Sequence, residues 1–97
     1  MNHEYIPKFE LDLDNPDKVK ESLKFHNRII EFTSLNISGE IDSEMLCYFV
    51  DDEGFEIAAG ELPRNAYKQA LTKSLQFFTE EENYEKCKEV KELIEKI

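Results

Sequence analysis

The sequence predicts an α+β domain in the order β-α-β-β-β-α-α, with a mainly antiparallel, three- to four-stranded sheet and helices on one face. Three observations carry this. The apolar run Met45–Val50 is followed, across Asp51-Asp52-Glu53-Gly54, by the second run Phe55–Ala59, which is the pattern of a β-hairpin. Apolar residues recur at helical spacing over 16–33 and again over 63–97. The chain has 97 residues, 40% hydrophobic and 11% aromatic, which suits one modest core in a single domain over 1–97 and leaves no room for two.

Residues 5–13 alternate, with Tyr5, Phe9, Leu11 and Leu13 on one side and Lys8, Glu10 and Asp12 on the other, and predict a half-buried strand. Pro7 cannot donate to a ladder, so pairing should begin after it or at an edge. Asn15 as cap, Pro16 at the first helical position and Asp17 at the positive end of the dipole predict a helix over 16–33. Its stripe comprises Val19, Leu23, His26 and Ile30, widened by Phe25, Ile29 and Phe32, with Lys20, Lys24 and Arg28 opposite. Residues 35–41 alternate again and predict a strand weakened or bulged at Gly39. Residues 45–50 are apolar on both faces, as in a central strand, and 55–59 return beside them. A helix over 63–78 opens near Pro63. Thr79 and Glu82 form a capping box, so the chain should break at Phe78–Thr79 and start a last helix over 79–97.

Net charge is −10, and its distribution is uneven: 14 acids face five bases in residues 1–60, whereas eight acids and seven bases nearly balance in 61–97. Between Ile29 and Leu62 there are nine acids and no Lys or Arg. Such a field repels nucleic acid and anionic membrane and favours basic partners. The candidate partner-binding residues are Glu40, Asp42, Glu44, Asp51, Asp52, Glu53 and Glu56. The partner they suit is a protein with a basic surface, with no direct nucleic acid and no membrane. Small acidic inhibitors of phage type that mimic nucleic acid resemble this chain in size and charge. Met1–Leu13 lacks the apolar core of a secretory signal, no run approaches the ~18 apolar residues of a membrane span, and two cysteines make no disulfide framework. These features point to the cytoplasm.

Chemistry finds little purchase. His3, His26, Cys47 and Cys87 are single residues on separate elements, without the close pairs of a zinc site. Cys47 and Cys87 read as small core residues and His26 as a satisfied core histidine. Three glycines leave no phosphate loop, and Asp51–Gly54 lacks the alternating ligands of a calcium loop. The expectation is a non-enzymatic protein with no cofactor and no metal; a small-ligand site would require a deep pocket beside His26.

Two local resemblances add alternatives. The predicted helix–three strands–helix order from Pro16 to Phe78, with Ala66 and Ala70 in its second helix, resembles double-stranded-RNA-binding domains. Their basic cluster, however, is here reduced to Arg64 and Lys68, and the hairpin is acidic, which argues against duplex binding. Residues 83–94 resemble the UVR motif of bacterial excision-repair and stress-adaptor proteins through Tyr84, Glu85, Cys87, Val90, Lys91, Glu92 and Ile94, with Lys88 departing from the motif's second small residue. That resemblance implies helix pairing with another protein, or homo-oligomerisation, through Tyr84, Cys87, Val90 and Ile94. The competing expectation is that this face packs on the protein's own core.

Overall fold

Successive elements in the computed structural model, which describes residues 5–97, are β1 (Lys8–Glu10), a 3-10 turn (Lys18–Glu21), α1 (Leu23–Ser38), β2 (Met45–Val50), β3 (Glu56–Glu61), a second 3-10 turn (Arg64–Ala66), α2 (Tyr67–Glu80) and α3 (Tyr84–Glu95). The architecture is α+β, and the sheet order is β1-β2-β3, with β2 in the centre as its two apolar faces predict. The sheet is mixed rather than mainly antiparallel: β1 runs parallel to β2, and β3 antiparallel to it.

The mixed sheet follows from one segment that is helix rather than strand. Residues 35–41 alternate like a strand, yet α1 continues to Ser38. Ile29, Phe32, Thr33 and Asn36 extend a buried helical stripe. Thr33 Oγ1 donates to the Ile29 carbonyl (2.8 Å) and Asn36 Nδ2 to the Phe32 carbonyl (2.9 Å), so both polar side chains are satisfied inside the helix. Gly39 is therefore a helix stop, not a bulge. It sits at φ 83, and its amide and that of Glu40 bond back to the last turn. With that strand gone, a helix joins β1 to β2, and a helical crossover returns the chain parallel. The helix–three strands–helix order on which the RNA-binding-domain resemblance rested is absent as well.

Other boundaries move for local reasons. The first helix starts at Leu23 rather than Pro16, because Ser22 is extended and caps it, accepting from the Phe25 amide (3.2 Å). The Asn15–Glu21 stretch forms turns and a short 3-10 segment instead. Strand β1 covers only Lys8–Glu10, and Tyr5 and Leu13, expected on its buried face, are exposed. Two helices do follow Pro63, but α2 runs through Thr79, whose hydroxyl donates to the Leu75 carbonyl (2.7 Å). The reversal falls at Glu82, at φ 57, and Asn83 caps α3 by accepting from the Lys86 amide (3.3 Å).

The core lies among the three helices and the inner face of the sheet. Phe32, Leu71, Phe78 and Val90 are fully buried, each worth roughly 1.5–3 kcal/mol in water exclusion. Phe9 of β1 meets Phe25 of α1 edge-on at 5.7 Å, placing α1 under that side of the sheet. Arg28, expected opposite the apolar stripe, is buried: Nε donates to the Leu46 carbonyl (2.7 Å) and an Nη to Glu31 (2.7 Å). The pairing of β2 with β3 is irregular between Met45 and Cys47, so Leu46 is offset from the ladder, and the guanidinium takes its carbonyl.

Candidate functional site

The acidic residues named above are all on the surface or partly so, and they cluster at the two ends of the hairpin. Glu40, Asp42 and Glu44 lie on the loop entering β2, whereas Asp51, Asp52 and Glu53 lie on the turn leaving it. The six residues of β2, at about 3.3 Å each, separate these ends by roughly 20 Å. Two of the seven have local tasks. Asp51 Oδ1 accepts from the amides of Glu53 (3.0 Å) and Phe55 (2.9 Å), so it builds the turn. Glu56 on β3 meets Lys8 on β1 across the central strand at 3.3 Å. This exposed pair was invisible in the sequence, because the β1–β2 register arises only after the crossover. Glu40, Asp42, Glu44, Asp52 and Glu53 have no ion-pair partner among the described residues.

The loop end of the hairpin also acquires a cation from α2's entry. Arg64 donates to the Asn36 carbonyl (3.1 Å), and its guanidinium lies over the Tyr67 ring at 5.6 Å. Burial raises the Tyr67 hydroxyl pKa above its ordinary value; Arg64 opposes the rise, and Asp42 and Glu44 add to it. Arg64 therefore partly offsets the acids at this end, as Lys8 does beside the turn through Glu56.

A cleft of about 650 Å³ opens between the hairpin and the helices. Its floor is apolar, from Phe25 and Ile29 of α1, Leu46 and Phe49 of β2, and Phe77 of α2. Ala66 of the second 3-10 turn and a stripe of α2, Gln69, Ala70, Lys73, Gln76 and Glu80, form a wall at three- and four-residue spacing. Gly60 and Glu61 of β3 face them. A Cβ on Gly60 would stand 2.7 Å from Cys47 Sγ and 3.1 Å from the Phe49 ring, so glycine permits the close approach of these side chains to β3.

His26 borders this cleft, with both ring nitrogens hydrogen-bonded. It is 4% exposed. A carbonyl can only accept, so Nε2 carries the proton and donates to Lys20 O (2.7 Å), and Nδ1 accepts from Ser74 Oγ (2.8 Å). Phe77 stacks on the ring at 4.4 Å. Burial lowers the His26 pKa against the opposing pull of the Lys20 carbonyl, so the imidazole is neutral with both nitrogens occupied. Burial likewise pushes the Cys47 thiol up to about 11, despite nearby Arg28. His3 lies outside the described residues. Among the described residues, no three His, Cys, Asp or Glu side chains converge as a metal site. No described helix is long and apolar enough to cross a membrane.

The alternative helix surface is divided. Cys87 and Val90 are buried against the protein's own helices, Ile94 is half-buried and Tyr84 is exposed. Two of the four residues, Cys87 and Val90, are thus spent on the protein's own core. Compared with protein-family models, curated proteins and solved structures, the chain matches none.

Proposed function

We propose that this chain is a non-catalytic binding protein that holds a basic surface of another protein against its hairpin. The supporting observation is the set of five exposed acids, Glu40, Asp42, Glu44, Asp52 and Glu53, that have no ion-pair partner among the described residues. Arg64 offsets the field of the loop-end acids only in part. The clusters at the two ends of the hairpin present carboxylates as a nucleic acid presents spaced phosphates, which suits a nucleic-acid-binding protein as partner. The buried, doubly bonded His26 and the desolvated Cys47 supply no free base or nucleophile, which supports a binding role.

The test is cross-linking and mass spectrometry in native-host extract. It compares wild type with two variants, Asp52→Lys/Glu53→Lys and Glu40→Lys/Asp42→Lys/Glu44→Lys. Asp51 and Glu56 are kept, because one builds the turn and the other pairs with Lys8. The two clusters lie farther apart than the ~10 Å Debye length at 0.1 M salt, so each reversal is expected to weaken capture separately. Capture that survives both reversals and 0.5 M salt refutes the proposal.

A further inference from the structure

The two edges of the sheet are built differently. The edge at β1 is three residues long, follows Pro7 and carries Lys8, all features that discourage another strand from pairing. The edge at β3 is six residues long, and β2 is its sole strand neighbour among the described residues. It contains neither Pro nor Lys. Phe55, just before it, is 66% exposed and Ile57 is 44% exposed. The apolar cleft opens beside its C-terminal half, where Gly60 and Glu61 face the stripe of α2. An edge strand with free backbone groups and an adjoining apolar trough is the arrangement to which an extended peptide adds a strand.

We infer that an extended basic segment of another protein pairs with the free edge of β3 as a fourth strand. Its apolar side chains, on one parity, enter the cleft between β3 and α2, and its Lys or Arg side chains, on the other, meet the acids of the hairpin. The inference rests on the basic partner proposed above and gives it a binding mode. Charge selects this occupant over a second copy of the chain. Antiparallel pairing of two β3 strands lays the Glu56 end of each along the Glu61 end of the other, so acids approach acids. Each copy also carries −10. A basic strand makes the same backbone bonds and gains the opposite charge.

The experiment uses the full chain and an array of octapeptides alternating Val, Leu, Ile or Phe with Lys or Arg, alongside the same array with Glu in place of the bases. The basic members are expected to bind at least about ten-fold tighter than the acidic ones. The best member is then N-methylated on either of its two alternate sets of amides. In an added strand only one set faces β3, so one methylated peptide is expected to lose about ten-fold or more and the other to keep its affinity. No binder in the array, or equal behaviour of the two methylated peptides, overturns strand addition. A retained preference for bases with no methylation pattern does so while leaving the electrostatic reading intact. A methylation pattern with no preference for bases overturns the choice of a basic partner. A concentration-dependent dimer in sedimentation, with β3 amides protected from exchange, assigns the edge to a second copy and overturns the proposal.

Discussion

Replacing Gly60 by Ala probes the closest approach in the sheet. The added methyl would meet Cys47 Sγ at 2.7 Å and the Phe49 ring at 3.1 Å. Cys47 is fully buried and Phe49 partly so; a shift of the sulfur therefore displaces other core atoms. Overpacking of this kind costs about 1–3 kcal/mol. Gly60 has no left-handed φ, so Ala also restricts the unfolded chain and returns about 0.4–1 kcal/mol. The middles of the two ranges give a net loss of about 1.3 kcal/mol, read as a lower urea midpoint at unchanged slope, or as a fall in Tm of about 5–10 °C for a domain of this size. Cys47→Ala removes the nearer obstacle. In a double-mutant cycle the second substitution is expected to relieve the first by at least ~0.5 kcal/mol. A Gly60→Ala protein within ~0.5 kcal/mol of wild type, or a cycle with no coupling, refutes the packing argument.

Two further expectations concern the helices. His26 has a lowered pKa, so the unfolded chain binds a proton more readily than the folded one; the stability this group supports is complete above its unfolded value of 6.5 and lost as pH falls through the folded pKa. Urea midpoints measured from pH 7.5 to pH 5 should fall more steeply for wild type than for His26→Gln, and parallel curves would show that the buried imidazole is not the titrating group. At the α2–α3 reversal, Asn83→Ala is expected to cost about 1 kcal/mol through loss of the cap, and Thr79→Ala less than ~0.5 kcal/mol; the opposite ranking would move the helix start back to Thr79.

Much of the fold was legible because it is written in local chemistry. The hairpin, with its apolar hexapeptide and acidic glycine-bearing turn, is present with β2 central. A pair of helices after Pro63 is present too, although the break lies at Glu82 because Asn83, rather than Thr79, satisfies the free amides. Residues 35–41 show the opposite case. Their alternation suits a strand and their neighbours Phe32, Thr33 and Asn36 suit a helix, and the two patterns overlap in the same residues. Burial of Phe32 and Thr33 among the other helices decides the matter, and that burial depends on α2 and α3.

Of the candidate site, the sequence located the acids but not their arrangement. It marked Asp51, Asp52, Glu53 and Glu56 as one group, whereas tertiary structure gives Asp51 to the turn and pairs Glu56 with Lys8 from the far side of the sheet. It placed Arg28 on a solvent face, whereas the offset at Leu46 leaves a carbonyl that draws the guanidinium inside. The cleft had no sequence signal, since its lining comes from six elements far apart in the chain.

By itself the sequence determined the class of fold, the hairpin, the central strand and the acidity of the surface, because turn chemistry, side-chain periodicity and charge act over a few residues. Only the tertiary structure decided that β1 lies parallel to β2, that β3 is an edge strand beside an apolar cleft, and which acids lack an ion-pair partner, all among the described residues. Those outcomes depend on residues far apart in the chain competing for the same buried surface and the same hydrogen bonds.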